Sequence, residues 1–245
     1  MASRPIVEVA VDSVEAAEMA WTLGADRIEL CQALEVGGLT PSPGLIDAVV
    51  TRARGPVFAM IRPRPGDFLV TADDLAVMVA DVANSTASGC AGVVVGALLP
   101  NREIDGPSVA RLVAAAGSLP ITCHRAFDLS AKPMVAVARL IELGVKRVLT
   151  AGGAGTAFEG RKQIAKIVDR AGPRLTVIAG GGVTSDHVVE LVRQTRVGEI
   201  HLSGSYQVRA GQSTGFGMNT VANPARLMRV IEAIDREFGR REHAT

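Results

Sequence analysis

Aromatic side chains are scarce in this sequence: they make up 3% of 245 residues, with one tryptophan and one tyrosine. A large interior therefore has to be packed from Val, Ile, Leu and Ala, the branched and small side chains that suit parallel strands buried on both faces. Cysteine is scarce too. Cys31, Cys90 and Cys123 are odd in number, widely spaced and form no CxxC pair, which excludes a disulfide framework and a zinc knuckle and implies reduced thiols. Neither sign of charge is in excess. The 26 basic residues stand against 25 acidic ones and are scattered, so nucleic acid is not an expected partner. No apolar run approaches the roughly 20 residues that span a bilayer, and Met1-Ala2-Ser3-Arg4-Pro5 leads straight into a strand pattern without a signal-peptide core. No membrane partner is expected, and the expected location is cytoplasmic. Also missing is any linker, composition shift or low-complexity run, so residues 1–245 read as one domain.

What the chain does have is alternation. Apolar runs of strand length recur at 6–11, 27–30, 57–61, 92–95, 121–124, 147–149, 176–179 and 199–202. Between them lie helical patterns, among them 14–23, 74–86, 134–143 and 187–193, with a last helix at 224–238 and a frayed tail at 239–245. Asp12 with Glu15 has capping-box spacing, and Asp105 and Thr184 are placed to cap later helices. Three helix-to-strand links share one form, a terminating Gly and a short step into the next strand, at Gly24, Gly89 and Gly144. Strict strand–helix alternation requires parallel pairing with right-handed crossovers. No GxGxxG follows the first strand, which disfavours an open dinucleotide-binding sheet. The expected fold is a closed (β/α)₈ TIM barrel, whose working surface is the ring of loops at the C-terminal strand ends.

Strand parity identifies the inward side chains, because the outward set must be apolar where it meets the helices. Val7, Val9 and Val11 outward turn Glu8 and Ala10 inward. Ile28 and Leu30 outward leave Glu29 and Cys31 inside, and Ile61 outward implies that Met60 and Arg62 face in. By the same rule Thr122 and His124 point into the lumen from the fifth strand, and His201 and Ser203 from the eighth. Two carboxylates, an arginine and two histidines thus converge on one end, where unpaired charge would cost several kcal/mol each. Two arrangements satisfy them: an ion-pair plug of Glu8 and Glu29 against Arg62, or a polar active site.

Four segments bear on the second arrangement. Gly180-Gly181-Gly182 after the seventh strand and Ser203-Gly204 after the eighth are where barrels bind anions through backbone N–H groups. His124-Arg125-Ala126-Phe127-Asp128 offers a titrating group, a cation and a carboxylate, with His124 and Asp128 the candidates for moving protons. Arg62-Pro63-Arg64-Pro65-Gly66-Asp67 is a stiff basic loop in which Arg64 could grip an anion. Cys31 is the one inward thiol, able to serve a soft metal. The candidate catalytic set is Glu8, Glu29, Arg62, His124, Asp128 and His201, and the expected ligand is a small anionic or phosphorylated metabolite.

These segments together resemble the CutC family, named for copper homeostasis. The stretches that carry the resemblance are Val9–Glu15, Gly24–Cys31, Gly37–Ser42, Met60–Arg64, Gly66–Phe68, His124–Asp128 and Ala179–Thr184. The resemblance implies a cytoplasmic barrel, a homo-oligomer with a dimer favoured, linked to copper tolerance and carrying a Cu(I) site of two cysteines. Here Ala10 stands where the family pattern has the first cysteine, so Cys31 is the remaining metal candidate. The pattern also departs after the eighth strand, where His201-Leu202-Ser203-Gly204-Ser205 lacks the arginine that commonly follows the small residues, and at Pro65, where Gly is usual. Two functions stand side by side: copper handling, from the resemblance, and acid/base catalysis on an anionic metabolite, from the residues.

Overall fold

A computed structural model describes residues 3–203, 205–209 and 218–240. Its centre is a closed parallel barrel whose strands follow one another in chain order. They are β1 (Ile6–Val11), β2 (Arg27–Leu30), β3 (Val57–Met60), β4 (Gly92–Val95), β5 (Ile121–Cys123), β6 (Arg147–Thr150), β7 (Thr176–Gly180) and β8 (Glu199–Ser203). Closure comes from β8 returning to β1, with Glu8 opposite His201 and Ala10 opposite Ser203. The ring of helices comprises α1 (Val14–Thr22), α2 (Pro43–Val50), α3 (Ala72–Ala87), α4 (Gly106–Ala116), α5 (Pro133–Glu142), α6 (Arg161–Ala171), α7 (Val188–Thr195) and α8 (Pro224–Phe238). No helix among the described residues is long and apolar enough to cross a membrane.

Local chemistry starts these helices where they begin. Thr71 and Asp74 form a reciprocal capping box on α3. Asp105 caps α4 by accepting from the Ser108 N–H, and Asn223 followed by Pro224 opens α8. The expected box at Asp12 and Glu15 is displaced by one residue: Ser13 caps α1, because its hydroxyl reaches the Ala16 N–H. Thr184 offers only its backbone carbonyl to the His187 and Val188 N–H groups, and α7 begins at Val188.

An element that periodicity did not suggest is an antiparallel hairpin after the eighth strand, formed by β9 (Ser205–Arg209) and β10 (Met218–Ala222). β10 runs beside a short 3₁₀ turn, Leu34–Val36, in the loop that follows β2. The end of the predicted tail, residues 241–245, lies outside the described residues.

The outward faces behave as parity required. Val7, Val9, Val11, Ile28 and Leu30 are buried against helix residues such as Ala17, Ala20, Ile46 and Val49. Each fully buried aliphatic side chain there stabilises the fold by about 1.5–3 kcal/mol. The lumen holds a second, smaller apolar cluster of Cys31, Phe58, Met60 and Val94. Gly92 on β4 leaves space for Phe58, since a Cβ there would fall 2.5 Å from its ring.

Candidate active site

The charges inside the barrel occupy two levels. In the lower one, Arg27 donates to Glu8 at 2.5 Å and to Glu199, and Arg147 approaches Glu199 at 3.5 Å. The Phe58 ring lies against both guanidiniums, 5.0 Å from Arg27 and 4.7 Å from Arg147. An ion-pair plug therefore exists, but with different members from those expected. Arg62 touches neither carboxylate. Arg27 takes its place, because it shares the parity of Glu29 and so faces inward from the first residue of β2.

Above this layer a cavity of about 290 Å³ opens at the C-terminal strand ends. Glu29, Arg62, His124 and His201 all line it, together with Gly181, Gly182 and Ser203. Glu8 lies one level below, behind His201, whose Nδ1 is 2.8 Å from Glu8 Oε1. His201 Nε2 is 4.0 Å from Glu29 Oε1. The imidazole thus stands between two carboxylates. Although burial opposes its charge, Glu29 and Glu8 raise its pKa above the ordinary value. Burial would raise Glu8 as well, but the His201 hydrogen bond and the Arg27 charge bring it down to about 2. Glu29 has the opposite balance. Burial dominates, and despite the opposing His201 charge its pKa is lifted to about 6.

His124 sits where β5 ends and a short 3₁₀ turn, Arg125–Leu129, begins. Its Nδ1 accepts the Ala126 N–H at 3.1 Å, so in the neutral ring the proton resides on Nε2. Burial, reinforced by the Arg62 charge, drives its pKa down to about 3. The imidazole is therefore neutral at neutral pH. Phe68 packs against it with ring centroids 4.9 Å apart, and Gly96 makes the space it fills.

Three buried polar atoms of cavity-lining residues have no hydrogen-bond partner among the described residues: Glu29 Oε2, Arg62 Nε and His124 Nε2. Leaving such atoms unpaired costs roughly 1–3 kcal/mol each, so a ligand is the natural partner. The remaining Arg62 N–H groups hold the surrounding loops by donating to the carbonyls of Val36, Gly38 and Gly66. Those contacts leave its charge without a counter-ion among the described residues, and its guanidinium lies 5.0 Å from the Phe68 ring.

Other candidates fall elsewhere. Asp128 turns away from the cavity and ties down the loop after β6, accepting from Thr150, the Ala151 and Gly153 N–H groups, and Arg125. Arg64 pairs with Asp67 and Asp74 on the outer side of the β3 loop. Gly180 packs beneath the cavity against Leu149 and His201, and Gly204 lies outside the described residues. Two arginines that the candidate set omitted, Arg125 and Arg226, line the cavity. Arg125 had a signal in its neighbour His124. Arg226 had none, since only the packing of α8 brings it to the loop after β7.

The family model for CutC matches residues 5–206. The chain belongs to the CutC family. Among curated relatives, the CutC family protein of Histophilus somni is 42% identical over 219 residues, covering 89% of this chain and 90% of the relative. That of Glaesserella parasuis is 45% identical over 201 residues, covering 82% and 83%. A crystal structure of CutC from Streptococcus agalactiae, described as a candidate copper homeostasis protein, has a TM-score of 0.77 at 29% identity, covering 80% of this chain and 97% of that one.

A CutC chain raises the question of Cu(I), which favours thiolate ligands. Cys31 is fully buried in the lumen, with Sγ 3.6 Å from Glu29 Oε1, and burial and that carboxylate push its thiol well above the ordinary range. Ala10, paired with Glu29 across β1 and β2, offers a methyl group. Cys90 and Cys123 pack in the outer layer between strands and helices. No second thiol faces Cys31, so the donor set does not fit a two-thiolate Cu(I) site.

Proposed function

We propose that this chain is an enzyme that moves a proton on a small anionic substrate bearing a carbonyl or hydroxy-carbonyl group. The observation that carries this reading is the pair of unpartnered atoms facing one cavity, Glu29 Oε2 as acceptor and His124 Nε2–H as donor. A carboxylate whose pKa is about 6 is ionised at neutral pH yet basic enough to accept a proton from carbon. A neutral imidazole that donates from Nε2 polarises a carbonyl without transferring its own charge.

In the forward step Glu29 Oε2 takes the proton from the carbon next to the carbonyl. The C–H electron pair becomes the new C=C bond, and the carbonyl π pair moves onto oxygen. The oxyanion is held by His124 Nε2–H and the Arg62 charge, donors already in place before charge develops. His201, whose charged form Glu8 and Glu29 favour, is placed to return a proton to the intermediate, after which the proton held by Glu29 passes to His201 directly or through solvent and restores both groups. Atoms and electrons balance with no redox partner, and the net change is an isomerisation or an exchange of hydrogen.

Copper homeostasis is the association the family name carries. On this reading it does not run through a thiolate site in this chain, while the three free cysteines support the reducing setting of a cytoplasmic enzyme. The test is solvent-deuterium incorporation into a panel of small carboxylated and phosphorylated hydroxy-carbonyl compounds. Incorporation is expected with the native protein and should fall by about 10²–10⁴-fold in Glu29→Gln. No incorporation with any compound, or equal rates in the variant, would overturn the reading.

A further inference from the structure

Charge in the cavity wall is unbalanced. Arg62, Arg125 and Arg226 line it against one carboxylate, Glu29, while His201 adds positive charge. The three arginines form two groups. Arg62 stands at the end of β3, near His124. Arg125 and Arg226 converge on the loop after β7, the strand opposite β3 in the eight-membered ring.

That convergence is specific. A Cβ on Gly181 would lie 3.1 Å from Arg125 Nη1, so the guanidinium lies directly over the loop backbone. Arg226 Nη2 donates to the Val183 carbonyl at 3.2 Å, fastening the first turn of α8 to the same loop. Gly181 and Gly182 adopt φ of +107° and +65°, a backbone open to only a few side chains. The Gly182 and Val183 N–H groups donate to no acceptor among the described residues. Arg226 has no carboxylate partner among them either, and Arg125 has only Asp128, which is itself held by three other donors, Thr150 and the Ala151 and Gly153 N–H groups.

We propose that this corner is a phosphate subsite, formed by Arg125, Arg226 and the Gly181–Val183 backbone, that anchors the far end of a phosphorylated substrate. The inference rests on the proton-transfer reading of the same cavity and adds the substrate's class: a phosphate ester whose carbonyl end reaches Arg62 and His124. A planar carboxylate can be met by one guanidinium. Two guanidiniums on different elements that reach one loop, with two N–H groups of that loop donating to no acceptor among the described residues and the first turn of a 15-residue helix fastened to it, suit a tetrahedral dianion with oxygens in several directions.

The experiment titrates native protein with inorganic phosphate at low ionic strength, following heat and ³¹P line width. It is repeated with Arg226→Gln, Arg226→Lys, Arg125→Gln and Glu29→Gln, each checked for native far-UV circular dichroism. Saturable binding is expected, weakened by about tenfold or more in Arg226→Gln and Arg125→Gln, partly restored in Arg226→Lys and retained in Glu29→Gln. No saturable binding to the native protein, or equal affinity in Arg226→Gln, would overturn the subsite. The outcome is separable from the proton-transfer test: loss of exchange in Glu29→Gln with intact phosphate binding supports both, whereas unaltered exchange removes the catalytic reading alone.

Discussion

On the proposed reading, Glu29 and His124 take different tasks in one cavity. Burial moves each toward its neutral form, lifting the carboxyl to about 6 and lowering the imidazole to about 3. At neutral pH the first is still an anion and the second is not a cation. The rate of exchange should therefore fall as pH drops through about 6, where Glu29 takes a proton, and fall again at a pH above the ordinary imidazole range, where His201 loses one. Glu8→Gln removes a carboxylate that holds His201 charged, so in that variant the alkaline limb should move to lower pH while the acid limb persists. A profile unchanged in Glu8→Gln would show that His201 does not supply the upper limb. Cys31 makes a different prediction. With no second thiol in reach, Cu(I) uptake by the reduced protein is expected to be weak and the same in Cys31→Ser, measured against a competing Cu(I) chelator. These residues were partly legible: Glu29, Arg62, His124 and His201 follow from strand parity, because outward positions must be apolar. Asp128 did not, because nothing in His124-Arg125-Ala126-Phe127-Asp128 shows that the loop after β6 returns to offer it backbone N–H groups.

At the scale of the elements, strand ends decide which charges are structural and which are free. Arg27 opens β2 and neutralises both Glu8 and Glu199. Replacing it by Met leaves Glu8 with His201 and Glu199 with Arg147 as remaining cationic partners, an expected loss of about 3 kcal/mol in urea unfolding, since removing one member of a buried ion-pair network exposes the others' desolvation cost. The end of β4 is equally constrained. A Cβ on Gly96 would fall 2.2 Å from the His124 ring, so Gly96→Ala should displace the imidazole and lower exchange by about 10²-fold without altering any polar group. Glu29 pH dependence should survive in that variant. Full activity in Gly96→Ala would show that the position of His124 does not matter. Element existence was legible from the repeated apolar runs, whereas the hairpin β9–β10 was not, because its short strands sit between two stronger patterns and carry no turn dipeptide.

For the whole molecule, the buried titrating groups set the response to acid. His124 has a folded pKa of about 3 against an ordinary 6.5, so its neutral burial contributes fully above 6.5 and is lost as pH falls toward 3. Glu8, at about 2 against 4.5, contributes fully above 4.5 and is lost as pH falls toward 2. Glu29 works the other way, with a contribution complete below 4.5 and lost as pH rises through 6. Between pH 6 and 4.5 the His124 loss and the Glu29 gain oppose one another, so the native urea midpoint should change little there, whereas in His124→Leu it should rise as pH falls. The same pH response in His124→Leu as in the native protein would contradict the buried neutral imidazole. The sequence alone determined the barrel, its strand order and the inward parity of its polar residues, because alternation, chain connectivity and apolar outward positions are local properties. Which inward charges neutralise one another, which are left facing a cavity, and that Arg125 and Arg226 both reach the loop after β7 were decided only by closure of the barrel. Closure brings β8 against β1 and α8 against the loop after β7, contacts between residues far apart in the chain that no local pattern encodes.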